Sequence, residues 1–181
     1  MAPTTATGRP TSRGDRASCS ACSATWDRAR SLRVNTVREG SQRTGGNRYS
    51  TPVESRQAAA RFLAAVNDRR VDAVEECLHP DVTWRNVPEA PTVGRQAVSG
   101  MLTRVLSRCE RVRWEVISES YAADTAWLER IDRFWIDGRE IAVCCNGVFR
   151  FEPGAGRLLE VRDYADLGPW RRTLADALGS G

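Results

Sequence analysis

Arg130 and Asp132 stand two residues apart in the run LERIDRFWI, residues 128–136. In an extended strand that spacing puts both on one face, together with Leu128, Phe134 and Ile136. Glu129, Ile131, Arg133 and Trp135 take the other side. A cation and an anion therefore fall in the middle of the more apolar face. Two other segments break their alternation in the same way. In DVTWRNVP, Asn86 follows Val82 and Trp84 on the inward side. In RLLEVRDYAD, Asp163 shares a face with Leu159, Val161 and Ala165, while Glu160, Arg162 and Asp166 point away. An inward Asn is often bound to backbone, and an Arg–Asp pair on one strand can be a structural ion pair. Buried ions are costly, however, and a buried pair often does no better than an apolar replacement. Four polar residues brought to apolar faces by three strands mark a candidate active site.

The chemistry follows from the parts. One guanidinium can hold two carboxylates through paired hydrogen bonds. Two acids sharing a site resist double ionisation, so one keeps a proton near neutral pH. The ionised acid can then take a proton from water while the protonated one gives its proton to a leaving oxygen. Asn86 can accept a hydrogen bond from that water. Such a set needs no metal and no cofactor.

The other reactive side chains offer less. The chain has one histidine, His79, around which any triad or multi-histidine metal site would have to be built. Cys19 and Cys22 form a C-x-x-C without a second pair, and Cys144 and Cys145 alternate across a strand. All six cysteines are read as free thiols of a reducing, cytoplasmic compartment. No apolar run approaches the roughly 20 residues of a membrane helix. All 27 basic residues are arginine, and the net charge is +4. Residues 1–52 hold nine arginines against three acids, leaving the remainder at −2. The basic character lies in the N-terminal segment, which argues against a nucleic-acid surface on the domain.

These residues need elements to position them. Residues 1–52, rich in Thr, Ser, Gly, Arg and Pro, read as a disordered tail, and residues 53–181 as one domain. ESRQAAARFLAAVND carries a helical stripe of Ala58, Phe62, Ala65 and Val66. VDAVEECL predicts a second helix ended by His79-Pro80, and RQAVSGMLTRVLSR a third, with Val98, Leu102, Val105 and Leu106 inward. Residues 88–94 lie between strand and helix as a Pro-containing loop. VRWEVISESYA puts Val112, Trp114 and Val116 on one side. TAWLERIDRFWI and REIAVCCNGVFRFE pair through the hairpin signal Asp137-Gly138. RLLEVRDYAD is the last strand, and WRRTLADAL a C-terminal helix. Helices first and antiparallel strands after predict an α+β domain, helices against one face of a curved sheet around a small-molecule cavity.

The N-V-P of WRNVPEAPTVGRQAV, the E-R-I-D-R-F run, N-G-V-F-R-F and the closing R-D-Y-A-D-L resemble the limonene-1,2-epoxide hydrolase family. That family lies within the SnoaL-like, NTF2-like group, and the resemblance spans Ser55 to Leu167. It implies an NTF2-like cone, with a curved mixed six-stranded sheet, helices on its concave side, and a homodimer. It further implies one-step opening of an epoxide by water. Asp163 would be the general base, Asp132 the general acid, Arg130 the bridge, and Asn86 a water-holding residue. Where the family usually has a water-binding tyrosine, this chain has Trp84, whose indole N–H donates but cannot accept. An attacking water has a second lone pair that Trp84 could serve; equally, the indole could simply line the pocket. With Trp84, the residues Leu102, Trp114, Val116, Leu128, Phe134 and Phe149 form an apolar lining suited to a terpenoid, steroid-like or fatty epoxide. Two other readings remain open: a SnoaL-like cyclase or isomerase acting on a polyketide or steroid-like ketone, and a non-catalytic ligand-binding module.

Overall fold

The structure, a computed structural model, describes residues 51–168 and 171–172. The expected tail lies outside these except for Thr51 and Pro52, and so does the expected C-terminal helix except for Arg171 and Arg172. Among the described residues no helix is long and apolar enough to cross a membrane.

Helix α1, Pro52–Asn67, starts where Thr51 and Glu54 form a reciprocal capping box with Pro at the first turn. Its buried stripe is Ser55, Ala58, Ala59, Phe62, Ala65 and Val66. A short α2, Val71–Glu76, follows, then β1, Leu78–Val87, and β2, Thr92–Val93. Helix α3, Arg95–Leu106, buries Val98, Ser99, Leu102 and Leu106. Four long strands complete the domain: β3, Arg111–Tyr121; β4, Thr125–Ile136; β5, Arg139–Phe151; and β6, Leu158–Ala165.

These strands form one mixed six-stranded sheet in the order β2-β1-β6-β5-β4-β3. Only β1 and β6 pair in parallel. The β4–β5 hairpin turns at Asp137 and Gly138, both at positive φ (51° and 71°), as a two-residue primed turn requires. One apolar cluster unites Phe62 and Val66 of α1, Val98 and Leu102 of α3, and inward sheet residues such as Trp84, Trp114, Leu128 and Phe149. The α+β, NTF2-like architecture expected from the sequence is thus present.

Three local expectations are corrected. His79-Pro80 does not end α2: that helix stops at Glu76, and both residues lie in β1. Pro80 is tolerated there because the β1–β6 register breaks between Leu78 and Thr83. Within the expected loop, Thr92 and Val93 pair with Trp84 and Thr83 as β2, a strand too short to show a period. In β6 the fully buried leucine is Leu158, not Leu159, because the β5–β6 register shifts next to Phe151.

α1 is tied to the sheet at both ends. Ser55 Oγ donates to the Ala122 carbonyl at 2.7 Å. The Trp114 backbone N–H donates to Asn67 Oδ1 at 2.6 Å, and Asn67 Nδ2 reaches the Trp114 carbonyl at 3.5 Å. Asn67→Ala leaves the backbone N–H of the buried Trp114 without this partner. It should lower the unfolding free energy by about 1–3 kcal/mol, measurable by urea denaturation.

Candidate active site

β4 delivers Arg130 and Asp132 to the helix-covered face by strict alternation: Ala126, Leu128, Arg130, Asp132, Phe134 and Ile136 are all buried. β6 delivers Asp163 in the same way. Arg130 is 1% exposed, Asp132 4% and Asp163 6%. Arg130 Nε donates to Asp132 Oδ1 at 2.8 Å, and Nη2 donates to Asp163 Oδ1 at 2.8 Å. One buried cation therefore joins two carboxylates from different strands.

The surroundings decide the charge of this cluster. Burial pushes the Asp132 carboxyl up to about 7. Arg130 opposes that rise, and the nearby Asp163 charge adds to it. Burial also works against the Arg130 cation, but the two carboxylates outweigh it and hold the guanidinium protonated. With one proton on Asp132, a cation and an anion remain and the buried group is neutral, the cheaper state in a dry interior.

Aromatic rings wall the cluster. The Arg130 Cζ lies 4.6 Å from the centroid of Trp114 and 5.1 Å from that of Phe149, within cation–π range. Trp84, 3% exposed, has its ring centroid 6.3 Å from Trp114 and 6.4 Å from Phe149. Phe62 of α1 contacts all three rings at 6.0–6.1 Å. Asn86, half-buried, is the register partner of Asp163 on the parallel neighbour strand.

Of the residues singled out in the sequence, the structure groups Arg130, Asp132, Asp163, Trp114, Phe149 and Trp84, with Asn86 beside Asp163. Val116 is half-buried and sits across from Arg130 in register. Leu102, Leu128 and Phe134 are members of the buried core. Three neighbours were not read as site residues. Phe62 lies on the α1 stripe but looked like core alone. Cys145 faces Arg130 in register, and burial raises its thiol pKa strongly. Gly147 faces Asp163. The inward parity of β5 (Ile141, Val143, Cys145, Gly147, Phe149) was the available signal for the last two.

Residues 59–161 match the SnoaL-like domain family. This is more than half of the chain, and the protein belongs to that family. Among solved structures, an LEH-like epoxide hydrolase of M. tuberculosis is similar at 24% identity, covering 70% of this chain and 93% of that one, with a TM-score of 0.60. A candidate SnoaL-like polyketide cyclase of Shewanella denitrificans is similar at 16% identity, covering 72% and 99%, with a TM-score of 0.59. At such identities the likeness is one of fold. No curated protein matches the sequence.

The charge state has a consequence for stability. Asp132 starts from 3.8 when solvated and rises to about 7 in the fold. Between these values the folded state holds a proton that the unfolded chain has released. The contribution of this group is fully present below the lower value and is lost as pH rises through the upper one. Asp132→Asn keeps an acceptor for Arg130 Nε and removes the titration. Thermal melts should therefore show the wild-type protein losing stability relative to Asp132→Asn as pH rises from 3.8 to about 7.

Proposed function

We propose that the protein is a cofactor-free epoxide hydrolase that converts an apolar epoxide to a vicinal diol. The observation that carries this reading is the buried Arg130 joining Asp132 and Asp163, with Asp132 holding a proton to about pH 7. Asp163 takes a proton from water as the water oxygen forms a bond to one epoxide carbon. The C–O bond at that carbon breaks, and the freed oxygen takes the proton of Asp132. A proton then returns from Asp163 to Asp132, and the pair is reset. Arg130 holds both carboxyls in place throughout. Asn86, beside Asp163, accepts from the water, and Trp84 donates to its second lone pair or shapes the pocket wall. The aromatic surroundings favour an apolar substrate, and the fold likeness to an LEH-like epoxide hydrolase is consistent with this chemistry.

The test is incubation with a panel of terpenoid, steroid-like and fatty epoxides in oxygen-18 water, followed by mass spectrometry. One labelled oxygen per diol is the expected result. Unlabelled diol, or no turnover across the panel by folded protein, removes the reading. Asp132→Asn and Asp163→Asn should each lower kcat by about 10²–10⁴-fold, the usual worth of a general acid or base. The wild-type rate should fall as pH rises through about 7, because Asp132 must carry its proton. Trp84→Tyr separates the two roles of that residue: a faster rate assigns it to water positioning, a collapse to pocket shape.

One observation favours a second reading. Trp84 stands where a water-holding tyrosine is expected, and the same acid–base pair without a well-held water could move protons on a polyketide or steroid-like ketone. A SnoaL-like cyclase candidate shares the fold. Solvent deuterium entering a cyclic ketone, with no diol formed from any epoxide, would select this alternative.

We further infer a homodimer, supported by Trp127 and Tyr164, which are 43% and 48% exposed on the sheet face away from the helices. Sedimentation equilibrium should return twice the chain mass, and Trp127→Glu with Tyr164→Glu should shift it to monomer.

A further inference from the structure

Arg130 and Asp163 are not on neighbouring strands. β5 lies between β4 and β6, and adjacent strands are about 4.8 Å apart, so the bridge spans about 10 Å of sheet. The inward residues of β5 at this level are Cys145, opposite Arg130, and Gly147, opposite Asp163. A Cβ placed on Gly147 would lie 2.1 Å from Arg130 Nη1, 2.7 Å from Asp163 Oδ1 and 2.6 Å from Phe149 Cε2. Real carbon contacts do not come that close. A flexible arginine tip would ordinarily step aside. This one is 1% exposed, held by two hydrogen bonds and packed against the Trp114 and Phe149 rings.

The backbone does not explain the glycine. Gly147 is absent from the positive-φ glycines, which are Gly94, Gly138, Gly154 and Gly156. Its conformation is one that any residue adopts, and glycine in a strand interior is disfavoured unless something must approach closely. What approaches is Nη1, the corner of the guanidinium that has no hydrogen-bond partner among the described residues. Nε and Nη2 are thereby left to face the two acids.

We propose that Gly147 is a positioning residue: its missing side chain is the notch through which Arg130 crosses β5 to hold Asp132 and Asp163 together. A methyl group there would force the guanidinium off one or both carboxylates.

The experiment uses the full chain with Gly147→Ala, Arg130→Met and the double variant. Carboxyl carbon-13 NMR follows the titration of Asp132. Withdrawing the cation that opposes its rise should move the midpoint upward from about 7, by a unit or more, in Gly147→Ala. An unchanged midpoint in folded Gly147→Ala protein overturns the proposal. Thermal melts supply the second readout. The fall in melting temperature caused by Gly147→Ala should shrink at least twofold in the Arg130→Met background, because the methionine chain can bend out of the way. An equal fall in both backgrounds would assign the glycine to packing against Phe149 and overturn the proposal. If Gly147→Ala alone does not fold, recovery of folding in the double variant supports the proposal, and failure to recover overturns it. Neither readout needs turnover, so the hydrolase reading and this inference can fail separately.

Discussion

A guanidinium with almost no exposure to water, shared between two carboxylates, is the interaction that the rest of the domain must accommodate. Removing one partner of a buried ion pair typically costs about 3–5 kcal/mol, because the other charge is left unpaired. The two acids therefore have to arrive together and in register. The sheet order achieves this by bringing β6, the last of the described strands, beside β5 rather than at an edge. The parallel β1–β6 ladder then sets Asn86 next to Asp163. α1, bonded to Ala122 and Trp114 through Ser55 and Asn67, supplies Phe62 as part of the aromatic cover over the buried group.

Burial also gives the cluster its chemical asymmetry. Two carboxylates and one guanidinium, all ionised, would leave a net negative charge in the interior. A proton on one acid removes it, and Asp132 is the acid that burial drives upward. The proposed division of labour, one acid donating and the other accepting, rests on this neutrality rather than on any difference in side-chain type. It also fits the two rings, Trp114 and Phe149, that pack against Arg130. Ring faces attract the cation without offering it a competing acceptor, so its directed bonds stay with the carboxylates.

Much of this was legible in the sequence because strands have a period of two. Arg130, Asp132 and Asp163 stood out as violations of an otherwise apolar face, and the structure buries all three. Asp137-Gly138 announced its hairpin through turn chemistry. Irregular features were not legible. The register break in β1 lets the strand begin at Leu78, through a histidine and a proline that read as a helix exit. The shift beside Phe151 exchanges Leu159 for Leu158. β2 is two residues long, set by pairing and not by pattern. Gly147 escaped for a different reason: hydrophobic alternation weighs side chains, and this position acts by having none.

Trp84 ties the polar and apolar halves of the site together. It shares the inward face of β1 with Asn86, two residues on, and its ring joins the wall formed by Trp114, Phe149 and Phe62. A tyrosine at this place could both donate to and accept from a water; an indole can only donate. A water poised to attack carbon keeps one lone pair for the new bond and sends its hydrogens to acceptors. A donor-only neighbour is compatible with that arrangement, provided that Asp163 and Asn86 are both acceptors. In the proposed mechanism, a tryptophan here moves the burden of orienting the water onto the carboxylate and the amide. Those are the two groups that the parallel β1–β6 register holds side by side.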